Sequence, residues 1–251
     1  MAVPATISMF GIIVIGDEIL NGRRKDRHFD GLGQKLRARG FSVAWLRILP
    51  DDPDYLIGEF ARTMTEAIPV FCCGGIGATP DDHTRACAAQ AAGVPLTLHA
   101  GAVAEIEARF GEEAYPNRIK MAELPEGSEL IPNPYNRIPG FSINRHYFMP
   151  GFPDMAHPMA DWVLDTYYAQ GGLGEKQRSV RVYGVTESSL MDLMAELTER
   201  YGDAKLFSLP RLGEEFQIEI GFRGRGDLEP AMQALTEGLR QRGVRFELLD
   251  D

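Results

Sequence analysis

The stretch Val70-Phe71-Cys72-Cys73-Gly74-Gly75-Ile76-Gly77-Ala78-Thr79-Pro80-Asp81-Asp82-His83-Thr84-Arg85-Ala86-Cys87 decides the fold. The apolar run from Ile68 to Cys73 is short and reads as a buried strand. Three glycines follow within four residues, and then a helix start is expected. Thr79 suits an N-cap, Pro80 the first helical position, and Asp82 the acid of a capping box. A strand, a glycine turn and a helix N-terminus together make a candidate anion site, because backbone N–H groups and the helix dipole both favour negative charge there. A plain connector explains such a turn equally well. Gly74-Gly75-Ile76-Gly77 is neither GxGxxG nor GxxxxGK, so neither a dinucleotide fingerprint nor a Walker loop is present.

Upstream, Ser8 to Gly16 is a near-continuous apolar run, as expected for a parallel strand buried on both faces. It ends in Gly16-Asp17-Glu18-Ile19-Leu20-Asn21-Gly22, followed by the basic segment Arg23 to His28. A helix is expected over 29–39, a strand over 41–49 closed by Pro50-Asp51-Asp52-Pro53, and a helix over 54–66 with Leu56, Phe60 and Met64 on one face. Three strand-then-helix units in a row imply a parallel sheet with right-handed crossovers. Ligands of such sheets bind at the carboxyl ends of the strands. That rule puts the Asp17-Glu18 loop and the Gly74–Asp82 loop on one edge.

Downstream, helices are expected over 101–110, 115–122 and 154–168. Between the last two lies a Pro/Gly-rich region, 123–153, with short strands near 128–131, 140–143 and 146–149. Gln170-Gly171-Gly172-Leu173-Gly174 is a linker candidate. Beyond it the pattern becomes strand 177–185, helix 187–200, strands 204–209 and 215–222, helix 227–241 and strand 243–249. That βαββαβ order describes a split two-layer sandwich. The expectation is therefore an α/β protein: a three-layer α/β/α domain with a mostly parallel sheet at 1–170, and a small α+β domain at 171–251.

Composition narrows the function. The chain has 251 residues, 44% apolar and 25% charged, the ordinary range of globular proteins. Its formal net charge of −10 argues against a nucleic-acid partner. No apolar run is long enough to span a membrane. Met1-Ala2-Val3-Pro4-Ala5-Thr6 lacks the features of a signal peptide. The three cysteines, Cys72, Cys73 and Cys87, show no metal spacing and read as reduced residues of a cytoplasmic protein.

The candidate chemistry lies in acids. Asp81 and Asp82 each stabilise a first helical turn by roughly 0.3–1 kcal/mol. As neighbours they sit about 100° apart on a helix, so one is free to face the crevice. A carboxylate beside a ligand phosphate repels it unless a divalent cation such as Mg²⁺ intervenes. Asp17 and Asp82 are thus candidate metal ligands, and Asp81 and Asp82 candidate catalytic acids. The run Arg23-Arg24-Lys25, with Arg27 and His28, offers phosphate contacts or a solvated loop. Lys120 and Arg118 allow the same two readings. The histidines show no ligand spacing.

These motifs, in order, resemble the molybdopterin-binding (MoCF-type) domain in the form found at the N-terminus of competence/damage-inducible protein A (CinA). The matching stretches are Gly16 to Gly22, Gly74 to Asp82, Lys120-Met121-Ala122, Leu124-Pro125, Ile131-Pro132-Asn133, Pro139-Gly140-Phe141 and Met149 to Pro153. They cover about 8–168, and 175–251 resembles the small middle domain of the same family. The resemblance implies a molybdopterin-type or nucleotide ligand whose phosphate meets Gly74, Gly75, Gly77 and the helix N-terminus. Asp17, Glu18, Thr79, Lys120, Pro139 and Gly140 would lie around it, with a divalent cation. It also implies the rival reading of a metal-dependent pyrophosphohydrolase acting on ADP-ribose-like or FAD-like dinucleotides. A third reading is a non-catalytic regulatory or scaffold protein, a homo-oligomer whose small domain makes dimer contacts. Two departures from the family pattern stand out. Asp81 occupies a position where cofactor-synthesis relatives carry Arg, and Asp26-Arg27-His28 replaces a small Asn/Thr segment.

Overall fold

The computed structural model describes residues 7–211 and 216–249, so the N-terminal stretch 1–6 and residue 215 of the expected strand lie outside the described residues. The chain divides into two compact units, Met1–Gly172 and Leu173–Asp251.

The first unit runs β1 (Met9–Ile15), the short turn α1 (Asp17–Leu20), α2 (His28–Ala38), β2 (Ser42–Leu49), α3 (Pro53–Met64), β3 (Val70–Cys73), α4 (Thr84–Ala92), β4 (Leu96–Leu98), α5 (Ala100–Phe110), β5 (Glu123–Pro125), β6 (Glu129–Ile131), β7 (Gly140–Ile143), β8 (His146–Met149) and α6 (Pro153–Tyr167). Six strands form one sheet in the order β2-β1-β3-β8-β7-β6. The pairs β1–β2, β1–β3 and β3–β8 are parallel, and only β7 runs against its neighbours. β4 and β5 make a separate antiparallel ribbon.

Strand alternation splits the core into two layers. Phe10, Ile12 and Val14 of β1, with Phe71 and Cys73 of β3, pack under α2 and α6 through Leu32, Leu36, Met159 and Val163. Ile13, Ile15, Val70 and Cys72 point the other way, against Leu56, Phe60, Ala88 and Ile106 of α3, α4 and α5. With both faces covered, the strands need no polar side, which is why β1 and β3 are apolar throughout. Phe10 stacks on Phe71 at 5.1 Å between ring centres, and Phe141 on Phe148 at 4.6 Å. The result is a mixed α/β unit of three layers with a mostly parallel sheet.

Three local expectations are corrected. The helix after the glycine turn starts at Thr84, not at Thr79. Residues 79–82 close on themselves instead: the Asp82 N–H donates to the Thr79 carbonyl, and the Thr79 N–H donates to the Asp82 carboxylate at 2.9 Å. A Thr-Pro-Asp-Asp segment satisfies its own polar groups in a turn more readily than it starts a helix. The expected helix over 115–122 is a 3₁₀ turn, Arg118–Ala122. And α3 begins at Pro53, because the Asp52 carboxylate accepts from the N–H groups of Asp54 and Tyr55.

The second unit comprises β9 (Lys176–Tyr183), α7 (Glu187–Arg200), β10 (Lys205–Arg211), β11 (Gln217–Gly224), α8 (Glu229–Gln241) and β12 (Arg245–Leu249). Its antiparallel sheet has the order β10-β11-β9-β12. Val180, Val182, Ile218, Ile220 and Phe222 pack on Leu190, Leu193, Leu235 and Leu239 of the two helices.

Gly74 is a point of close backbone approach in the first unit. Its φ is +119°, and a Cβ there would collide with the Ile15 carbonyl oxygen. The Gly74→Ala variant is expected to destabilise this unit by at least about 2 kcal/mol, measured as a lowered melting transition by circular dichroism.

Candidate functional site

The carboxyl ends of β1, β2 and β3 bring three loops together. Asp17 opens α1 directly after β1, and Asp51 follows β2. The Asp17 N–H donates to the Asp51 carboxylate at 3.0 Å, and the Asp51 N–H donates back to the Asp17 carboxylate at 3.4 Å. Gly75 joins them: a Cβ at that position would lie 3.7 Å from an Asp51 oxygen and collide with the Thr84 hydroxyl. Burial pushes the Asp51 carboxyl up, and the negative charges of Asp17, Glu18 and Asp81 push it in the same direction against the Asp17 N–H bond. Asp51 was not singled out from the sequence, where Pro50-Asp51-Asp52-Pro53 read as a strand end. Its signal was positional, an acid directly after a parallel strand.

The anion cradle expected at the glycine turn has a different build. The first N–H of α4, that of Thr84, is spent on the Gly75 carbonyl at 3.0 Å. Asp82 serves Thr79, and its carboxylate is what a Cβ at Gly77 would strike. The Thr79 hydroxyl also holds the exposed Asp81 carboxyl below the usual range. Arg85, only 7% exposed, ties the region together by donating to the carbonyls of Gly77, Lys120 and Glu123. Sequence reading missed this strut, since a lone arginine in a helix carries no distinguishing mark.

A cavity of about 410 Å³ opens at the same sheet edge, on the α2 and α6 side. Val14, Ile15 and Cys73 form its floor, and Glu18, Ile19 and the run Arg24 to His28, Asp26 included, form one wall. Gly151, Phe152, Pro153 and Asp154 at the start of α6 form the other wall. Gly151 packs against Gly74, since a Cβ on it would lie 3.4 Å from the Gly74 Cα. Arg24 pairs with Glu18 at 3.8 Å. The Asp26 carboxylate accepts from the backbone N–H groups of His28 and Phe29, at 2.8 and 3.1 Å. Lys25 and Arg27 have no ion-pair partner among the described residues.

The remaining sequence candidates lie apart from this cavity. Lys120 lends its carbonyl to Arg85 and lines neither cavity. Pro139 lines a second, smaller cavity of about 180 Å³ with Glu105, Leu130, Pro132, Asn133 and Arg137. Gly140 is buried in β7, where a Cβ would collide with the Phe148 carbonyl oxygen, so packing accounts for that glycine. Asp17 and Asp82, the candidate metal ligands, are engaged with the N–H groups of Asp51 and Thr79 respectively. Among the described residues no group of three or more His, Cys, Asp or Glu could hold a metal ion, so this donor set does not fit a divalent cation as it stands. Nor, among them, is any helix long and apolar enough to cross a membrane.

Residues 11–169 match a family model described as a probable molybdopterin binding domain. A CinA-like protein of Citrifermentans bemidjiense is 28% identical over 249 residues, covering 96% of this chain and 59% of its own length. A CinA-like protein of Anaeromyxobacter dehalogenans is 32% identical over 206 residues, covering 76% of this chain and 50% of its own. The chain thus spans somewhat more than half the length of the curated relatives it matches. Among solved structures, the protein CinA from Thermoplasma acidophilum superposes with a TM-score of 0.59 at 26% identity, over 64% of this chain and 98% of that one.

Two outcomes follow from the geometry. Arg85→Met leaves the carbonyls of Gly77, Lys120 and Glu123 without this donor and is expected to cost about 1–3 kcal/mol, read as a lower urea midpoint. For Asp51 the folded-state carboxyl lies above its unfolded value, so the folded chain binds more protons there and stability falls as pH rises through that window. Asp51→Asn is therefore expected to raise the melting temperature at pH 7. The gain should vanish below the unfolded carboxyl value of about 3.9, in a melting series across pH.

Proposed function

This chain belongs to the molybdopterin-binding domain family, and on that premise we propose that its larger unit binds a small phosphorylated ligand, of pterin or nucleotide kind, at the carboxyl edge of the sheet. One observation carries the reading. The cavity of about 410 Å³ sits where the β1, β3 and β8 loops meet, and two of the cations lining it, Lys25 and Arg27, have no partner among the described residues. Ligand sites of this kind run to about 300–1,000 Å³ and occur at the carboxyl ends of parallel strands. The apolar floor of Val14, Ile15 and Cys73 suits a flat ring, and the unpaired Lys25 and Arg27 suit its phosphate. The glycine turn contributes by close approach: Gly74 and Gly151 keep the mouth free of side chains.

A second reading, hydrolysis of ADP-ribose-like or FAD-like pyrophosphates, is favoured by Asp51. An acid raised by burial and like charge at a sheet edge has the properties of a general acid or base. Among the described residues its acids do not gather around one point as a metal site requires.

Isothermal titration with molybdopterin, AMP, ADP-ribose and FAD, each with and without Mg²⁺, tests binding. Micromolar affinity for at least one is expected, and no heat from any of them rejects the proposal. For the second reading, AMP released from ADP-ribose is expected to drop at least tenfold in Asp51→Asn. Absence of release, or release unchanged in that variant, removes it.

A further inference from the structure

His28 opens α2 and lines the larger cavity while being only 3% exposed. Its Nε2 lies 3.2 Å from the Gly151 carbonyl oxygen, an atom that only accepts, so Nε2 carries the proton. In the neutral ring Nδ1 is then a bare lone pair, and it has no partner. Burial lowers the pKa of this ring, against the Gly151 bond and the Asp26 charge. An unpaired buried acceptor is a poor resting state, and it improves if Nδ1 gains a proton and donates it to an anion.

The surroundings supply that anion with counter-charge. Lys25 and Arg27 are exposed on the same wall and have no partner among the described residues. Arg24 is held only loosely by Glu18, at 3.8 Å. The Asp26 carboxylate, which also lines the cavity and keeps its negative charge, is held by two backbone N–H groups. The fifteen-residue helix α6 begins at the cavity with no side-chain cap, which adds the positive end of its dipole. Facing His28 from α6 is His157, with ring centres 5.6 Å apart, and around His157 lie Lys35, Asp154 and Asp161.

We propose that Lys25, Arg27 and His28 form a subsite for a terminal phosphomonoester dianion, and that His28 takes up a proton from solvent at Nδ1 as the phosphate enters. The inference rests on the binding reading above and narrows its ligand class. A pterin phosphate or a mononucleotide carries such a terminal group, which is doubly charged near neutral pH. The internal pyrophosphates of ADP-ribose and FAD do not.

Calorimetry at pH 7.5 with AMP, adenosine and ADP-ribose as probes, in PIPES and in Tris, distinguishes the outcomes. AMP is expected to bind at least tenfold more tightly than either other probe, with net proton uptake shown by the difference between buffers. His28→Gln should abolish the uptake. Lys25→Ala/Arg27→Ala, at two exposed positions, should remove the tenfold preference. ADP-ribose binding as tightly as AMP, or AMP binding with no uptake, overturns the subsite while leaving the broader binding reading standing. Silence from all three probes, from molybdopterin and from FAD overturns both.

Discussion

Everything at the functional edge depends on backbone meeting backbone at Gly74. Its N–H donates to the Met149 carbonyl at 3.0 Å, its α-carbon faces the Ile15 carbonyl, and Gly151 closes over it. A side chain at 74 would drive β1, β3 and β8 apart at the point where their loops have to converge. The glycine turn is thus first a device for bringing three strand ends within reach of each other. The cavity beside it is what such convergence leaves once the side chains are gone.

A division of labour between adjacent acids follows the same logic. In the Asp51-Asp52 pair, Asp52 caps α3 and Asp51 turns back to Asp17 and the crevice. In the Asp81-Asp82 pair, Asp82 closes the turn on Thr79 while Asp81 stays exposed. Each pair spends one carboxylate on local backbone and leaves the other for the edge. Asp51 and Asp81 follow different strands at the β1–β2–β3 end, whereas Lys25 and Arg27 line the cavity by α6 together with Glu18, Asp26 and Asp154.

Much of the layout was legible from periodicity. The apolar runs of β1 and β3, doubly buried, and the alternation of Val180, Val182, Ile218 and Ile220 over one face are patterns that burial alone dictates. The starting point of α4 was not, because Thr79 and Asp82 are equally good cap and turn residues and only the tertiary demand of Gly75 for the Thr84 N–H decides between them. Nor was the cavity wall. Arg24 to His28 lies next to Phe152 and Pro153 only because β8 inserts beside β3, a long-range pairing that no local pattern encodes. The reversed strand β7 was hidden for the same reason. Asp51 and Arg85 carry their roles through partners distant in sequence, so their residue types alone could not announce them.

The insertion of β8 has a further consequence, for the nascent chain. Val70 of β3 pairs with His146 of β8, so one side of β3 stays unsatisfied until the strand of His146 to Met149 has been made. A chain without β8 would leave the apolar strand β3 with one edge open, the kind of surface that joins to other chains. Synthesis of the loop-rich middle is a window of exposure, and its high-separation pairing predisposes the unit to slow closure. The strand that completes the cavity is thus also the strand that covers the open edge of β3.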